Sequence, residues 1–174
     1  MKQCCPALCA AAAVLLARVA IAQPVNEPLH FSKLVPILPD AIEGFVAEKA
    51  GGSTSSAVGF SLTEVSRTYH KGTEDAAQTV TIRITDGTGN QFFAAAHAAA
   101  TQFSKETPEG YERNFTLDNS PAVEKYTNEN KEGTLTVMVA GRYLVEIAVK
   151  GLESSAMQEW WRKIDTKKLA ELKA

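Results

Sequence analysis

The chain has 174 residues, of which 45% are hydrophobic and 22% charged, with three cysteines and a formal charge of −2. These proportions describe one ordinary globular domain and exclude the collagen-like, strongly disordered, polytopic membrane and disulfide-scaffold classes. A nucleic-acid partner is not expected either, because neutralising phosphates takes a surplus of Lys and Arg that this chain lacks.

Residues Met1–Gln23 carry Lys2 early, an apolar run through Ala7–Ala17 and the small-residue ending Ala20-Ile21-Ala22. That is the arrangement of a secretory signal cleaved after Ala22. The apolar run stops at Arg18 and falls short of the roughly 20 residues that a spanning helix needs. Cys4, Cys5 and Cys9 precede or open this run, whereas a lipid-bearing cysteine would follow it. The expected organisation is a signal peptide over 1–22, a flexible leader over 23–29 and a single domain over 30–174, exported to a periplasmic or extracellular compartment. No transmembrane span is expected in the mature chain. Removing 22 residues takes away Lys2, Arg18 and every cysteine, leaving 152 residues with a charge of −4. Such a product has no disulfide, no Cys nucleophile and no thiolate metal site. Its stability rests on a core, and a domain of about 150 residues buries roughly 70% of its unfolded surface.

Along the mature chain, Ser32 is placed to cap a short helix that Pro36 and Pro39 limit to a turn or two. Gly44–Lys49 reads as a strand, Gly51–Ser56 as a flexible loop, and Ser61–Lys71 as a half-exposed strand. Thr79–Thr85 alternates most cleanly, with Val80, Ile82 and Ile84 on one face and Thr79, Thr81, Arg83 and Thr85 on the other. Asn90 can cap an Ala-rich helix over Gln91–Phe103, with Phe92, Ala96 and Phe103 on its buried side. Four more strands follow at Tyr111–Leu117, Ala122–Thr127, Thr134–Val139 and Arg142–Lys150, the last two as a hairpin. Glu153–Ile164 and a short segment capped by Asp165 close the chain as helices. This order predicts an α+β fold, an antiparallel β-sheet of six to seven strands with helices packed on its faces.

The element order resembles that of the PsbP-like superfamily over about residues 30–172. Short strings carry the resemblance at residue level: Leu38-Pro39 followed by Gly44-Phe45, then Tyr69-His70-Lys71-Gly72, then Ile84-Thr85-Asp86-Gly87. They are similar to those of exported bacterial proteins, including periplasmic proteins of the DcrB type. The resemblance implies a non-enzymatic adaptor or envelope accessory role, and no shared catalytic set to carry over.

The residues themselves point away from familiar chemistry. His30, His70 and His97 are too scattered for a zinc pair, and His70 with Glu74 and Asp75 reads as a solvated turn. No G-x-S-x-G elbow is present, so no catalytic residue, cofactor or metal ligand is assigned. Gly87-Thr88-Gly89-Asn90 leads into the expected helix as a weak candidate anion-binding turn. Trp160-Trp161 stands out, because neighbours on a helix point about 100° apart. Trp161 is therefore a candidate partner-binding anchor, against the simpler reading that both rings fill a helix–sheet seam. The expected function is an exported, non-catalytic domain that binds an envelope protein or ligand; a small hydrolase with carboxylates assembled by the fold, or a small-ligand carrier, is the alternative. Expression of the full precursor in a secreting host should yield a product whose N-terminal residue is Gln23; intact-mass analysis showing a retained Met1 would contradict the signal.

Overall fold

The computed structural model describes residues 27–57, 60–72, 78–88, 97–98 and 103–172. The expected signal peptide and most of the expected leader lie outside these residues. So does the Gln91–Phe103 helix, apart from His97 and Ala98, which are helical, and Phe103, which is irregular and 54% exposed rather than buried on a helix face.

Nine antiparallel strands form one sheet: β1 (Val46–Ala47), β2 (Gly51–Ala57), β3 (Phe60–Lys71), β4 (Gln78–Asp86), β5 (Lys105–Thr107), β6 (Gly110–Leu117), β7 (Ser120–Thr127), β8 (Glu132–Val139) and β9 (Tyr143–Lys150). Their order is β1-β3-β4-β9-β8-β7-β6-β5, with β2 also on β3. Two meanders, β2-β3-β4 and β5 to β9, are therefore joined by the pairing of β4 with β9, which sets Val80 against Val149, Ile82 against Ile147 and Ile84 against Val145. Helices are few and short among the described residues: α1 (Phe31–Leu34) with a following 3-10 turn (Val35–Ile37), α2 (Ser155–Trp161) and α3 (Thr166–Glu171).

This corrects the expected α+β architecture. Among the described residues the protein is mainly β, with nine strands instead of six or seven, and the short helices do not build layers on the sheet faces. The main reason lies at the sheet edges. Gly51–Ala57, a Gly/Ser/Thr stretch of poor strand propensity, is a fully exposed strand paired along its whole length with β3. Gly52 suits that position because a Cβ there would come within 3.0 Å of Phe31 and Val65. The short β5 was likewise not legible in the pattern.

One face carries the core. Val65, Tyr69, Val80, Ile82, Ile84, Leu135, Val137, Val145 and Ile147 alternate inward along the central strands. Leu29, Leu34, Met157, Trp160 and Leu169, from the N-terminal segment and the helices, are buried with them. Trp160 lies edge-on to Phe45 with ring centres 5.4 Å apart and against Tyr69 at 4.4 Å. The opposite face is polar where Arg83 reaches Glu146 at 3.0 Å and Glu64 at 3.4 Å. His30, rather than Ser32, caps α1, its Nδ1 facing the Ser32 N–H at 3.4 Å.

At the end of β4, Asp86 is fully buried and ties three segments together. Its Oδ2 accepts from the Leu29 N–H and Arg142 Nη2, both at 2.7 Å, and its Oδ1 accepts from Arg142 Nε at 3.0 Å and from the Thr88 N–H at 3.1 Å. Burial alone would raise this carboxyl; the hydrogen bonds from Arg142, Thr88 and Leu29 outweigh it and hold Asp86 below the usual carboxylate range. A depressed native pKa means the contribution is complete above the unfolded value of about 3.9 and is lost as pH falls through the lower, folded value. Asp86→Asn should cost about 3 kcal/mol at pH 7. It should also flatten the stability change between about pH 5 and pH 2, as measured by denaturant melts across that range; an unchanged slope would contradict the assignment.

Candidate binding surface

The β6–β7 hairpin builds the most distinctive side-chain cluster among the described residues. Asp118 and Asn119 both take positive φ, at 49° and 62°, between the paired Leu117 and Ser120. That is the two-residue hairpin turn whose twist suits its strands. The register then stacks Tyr111 against Tyr126, Arg113 against Glu124 and Phe115 against Ala122, all on the core face.

Glu124 is only 1% exposed. A carboxylate so buried has to be paired and hydrogen-bonded. Its Oε1 accepts from Arg113 Nη2 at 2.8 Å and from the Tyr111 hydroxyl, and its Oε2 faces Gln158 Nε2 of α2 at 3.4 Å. Burial and the bond to Glu124 raise the Tyr111 pKa, so its hydroxyl remains a donor. Arg113 is different in kind: its side chain is 52% exposed, and its guanidinium lies 5.0 Å from the Tyr111 ring centre and 5.5 Å from that of Phe115. The result is a half-covered strip of Tyr, Arg and Phe, anchored from beneath by a buried acid.

Trp161 does not offer a free surface. It is 3% exposed, and its Nε1 donates to Asp118 Oδ2 at 2.7 Å, which fastens α2 to the hairpin turn. The anion-turn expectation also meets a correction where it can be followed. The Gly87 N–H points to the Arg142 carbonyl at 3.4 Å and the Thr88 N–H is taken by Asp86, so neither amide is left for a ligand; Gly89 and Asn90 lie outside the described residues. His70 Nδ1 sits 3.8 Å from Glu48, while Glu74 and Asp75 are not described. His97 is buried with Nε2 3.3 Å from the Pro121 carbonyl. No group of three His, Cys, Asp or Glu able to hold a metal occurs among the described residues. No described helix is long and apolar enough to cross a membrane.

Glu124 is not among the residues picked out above from sequence, although the sequence carries a signal for it. Alternation along Ala122-Val123-Glu124-Lys125-Tyr126 puts it on the face of Tyr126, the side that has to be buried. Other acids of this half of the chain are engaged too: Glu112 with Lys125 at 3.0 Å, Glu132 with Lys150 at 3.6 Å, and Asp118 with Trp161.

Comparison with family models, with curated proteins and with solved structures returns no match.

Removing the cation above Glu124 should be costly. Arg113→Ala is expected to lose about 2 kcal/mol, less than for a fully buried pair because the guanidinium is half in water. Adding Glu124→Gln to Arg113→Ala should recover most of that loss in denaturant melts; a double variant as unstable as the sum of the two singles would contradict the coupling.

Proposed function

We propose that the protein is an exported, non-catalytic module that binds a protein partner through the Tyr111–Arg113–Phe115 strip of its sheet. The observation that carries this reading is Arg113, held from below by buried Glu124 and flanked by two aromatic rings while half of it faces water. Tyr and Arg are the residue types that concentrate binding energy at protein interfaces. A guanidinium already fixed by its neighbours loses little rotamer freedom on docking, which lowers the entropic cost of association.

Catalysis is less well supported. A general base needs a free lone pair within reach of substrate, yet the two buried carboxylates, Asp86 and Glu124, are each committed to several internal donors. The expected export signal favours the same accessory role.

A photo-cross-linking residue at Phe115 should yield discrete adducts with a partner from envelope extract. The same residue at Thr116, its neighbour on the opposite face, serves as the control. The expected result is adducts at 115 that are lost when Tyr111 is changed to Ala; equal adducts at both positions would overturn the assignment.

A further inference from the structure

A second site lies on the far side of the helices from the strip. The loop that follows α1, the floor of β3 and the corner between α2 and α3 enclose a cleft of about 820 Å³, within the range of about 300–1,000 Å³ typical of small-molecule sites. Three cations line it, Arg67 from β3, Lys163 from the α2–α3 corner and Lys168 from α3, together with three acids, Asp40 and Glu43 on the loop and Asp165 at the start of α3.

Six charged groups of both signs share this cleft, yet none of them forms an ion pair among the described residues. Elsewhere in the molecule opposite charges that meet do pair, as Arg83 does with two glutamates. In the cleft two of the six have internal ties instead. Arg67 Nη1 donates to the Pro39 carbonyl at 3.1 Å, a carbonyl also taken by the Tyr69 hydroxyl at 2.6 Å, and Asp165 caps α3 through the Lys168 N–H at 2.9 Å. Arg67 lines the cleft, and a carboxylate is the natural acceptor for a guanidinium.

We infer that the cleft binds a small zwitterion, of which a short peptide with free termini is the representative class. The ligand's carboxylate meets the Arg67 guanidinium with Lys163 and Lys168 alongside, and its ammonium meets Asp40 and Glu43. A ligand carrying both signs satisfies both walls at once, whereas a simple anion would leave the two loop acids facing it. The site stands apart from the β6 strip, so failure of either reading leaves the other intact.

The test titrates the mature domain with trialanine, with N-acetyl-trialanine as the anion alone and with trialanine amide as the cation alone, followed by calorimetry and by backbone amide shifts. Trialanine should bind saturably with a Kd of about 1 mM or tighter, and each singly charged form about tenfold more weakly. Exposed Asp40→Asn and Lys163→Gln, which make no internal hydrogen bond with their side chains among the described residues, should each weaken trialanine about fivefold with an unchanged melting temperature. Arg67→Gln should abolish binding. Absence of saturable trialanine binding, equal binding of the anion alone, or insensitivity to both surface variants would each overturn the proposal.

Discussion

The pairing of β4 with β9 is the constraint on which the architecture depends. Without it the chain is two separate meanders, each with one apolar face and too little to cover it. The ladder of Val80, Ile82 and Ile84 against Val149, Ile147 and Val145 closes a single apolar surface across strands more than 60 residues apart in sequence. Contacts of such separation are entropically costly to form and reward the chain only when many form together. That accounts for the position of the Asp86–Arg142 pair. It sits where this ladder ends, and it also catches Leu29, so the N-terminal segment, the first meander and the last hairpin turn are registered by one carboxylate.

Glu124 plays a related part at the other end of the sheet. A buried carboxylate is a poor source of net stability, because its desolvation consumes most of what its partners return. What it does supply is uniqueness. A one-residue slip between β6 and β7 would turn Arg113 and Tyr111 to the opposite face and strand the charge in the core. The surface above it inherits that precision, since the exposed arginine and its two rings are placed by the same register. Trp161, bonded to the turn between these strands, fixes α2 to the same frame.

Sequence patterning revealed the centre of the protein and obscured its margins. Strand β9 alternates along its length, and β4 and β8 alternate until their last three residues, all buried, because one face is dry and apolar residues therefore recur at every second position. β2 has no such pattern, since all seven of its residues are exposed; it is a strand because β3 runs for twelve residues and offers it an edge. The short C-terminal helices follow their apolar spacing and the Asp165 cap, but such signals say little about how much of a sheet the helices cover. At the candidate site, the tryptophan pair drew attention as large residues do, whereas the informative residue was an acid on the wrong side of a strand. Whether an acid is solvated or buried depends on which face its neighbours across the sheet have to hide, and that is a property of the pairing partner rather than of the strand itself.

The two ends of the sheet are unequal, with a consequence for how copies of the chain can meet. β5 is three residues long and carries Lys105 and Glu106, a brief, charged margin of the kind that discourages further pairing. β2 is seven residues of Gly, Ser, Thr and Ala with no charge at all. Head-to-tail joining of the two margins would propagate into a filament, and the charged β5 disfavours it; β2 against β2 of a second copy would instead be a two-fold arrangement that closes on itself.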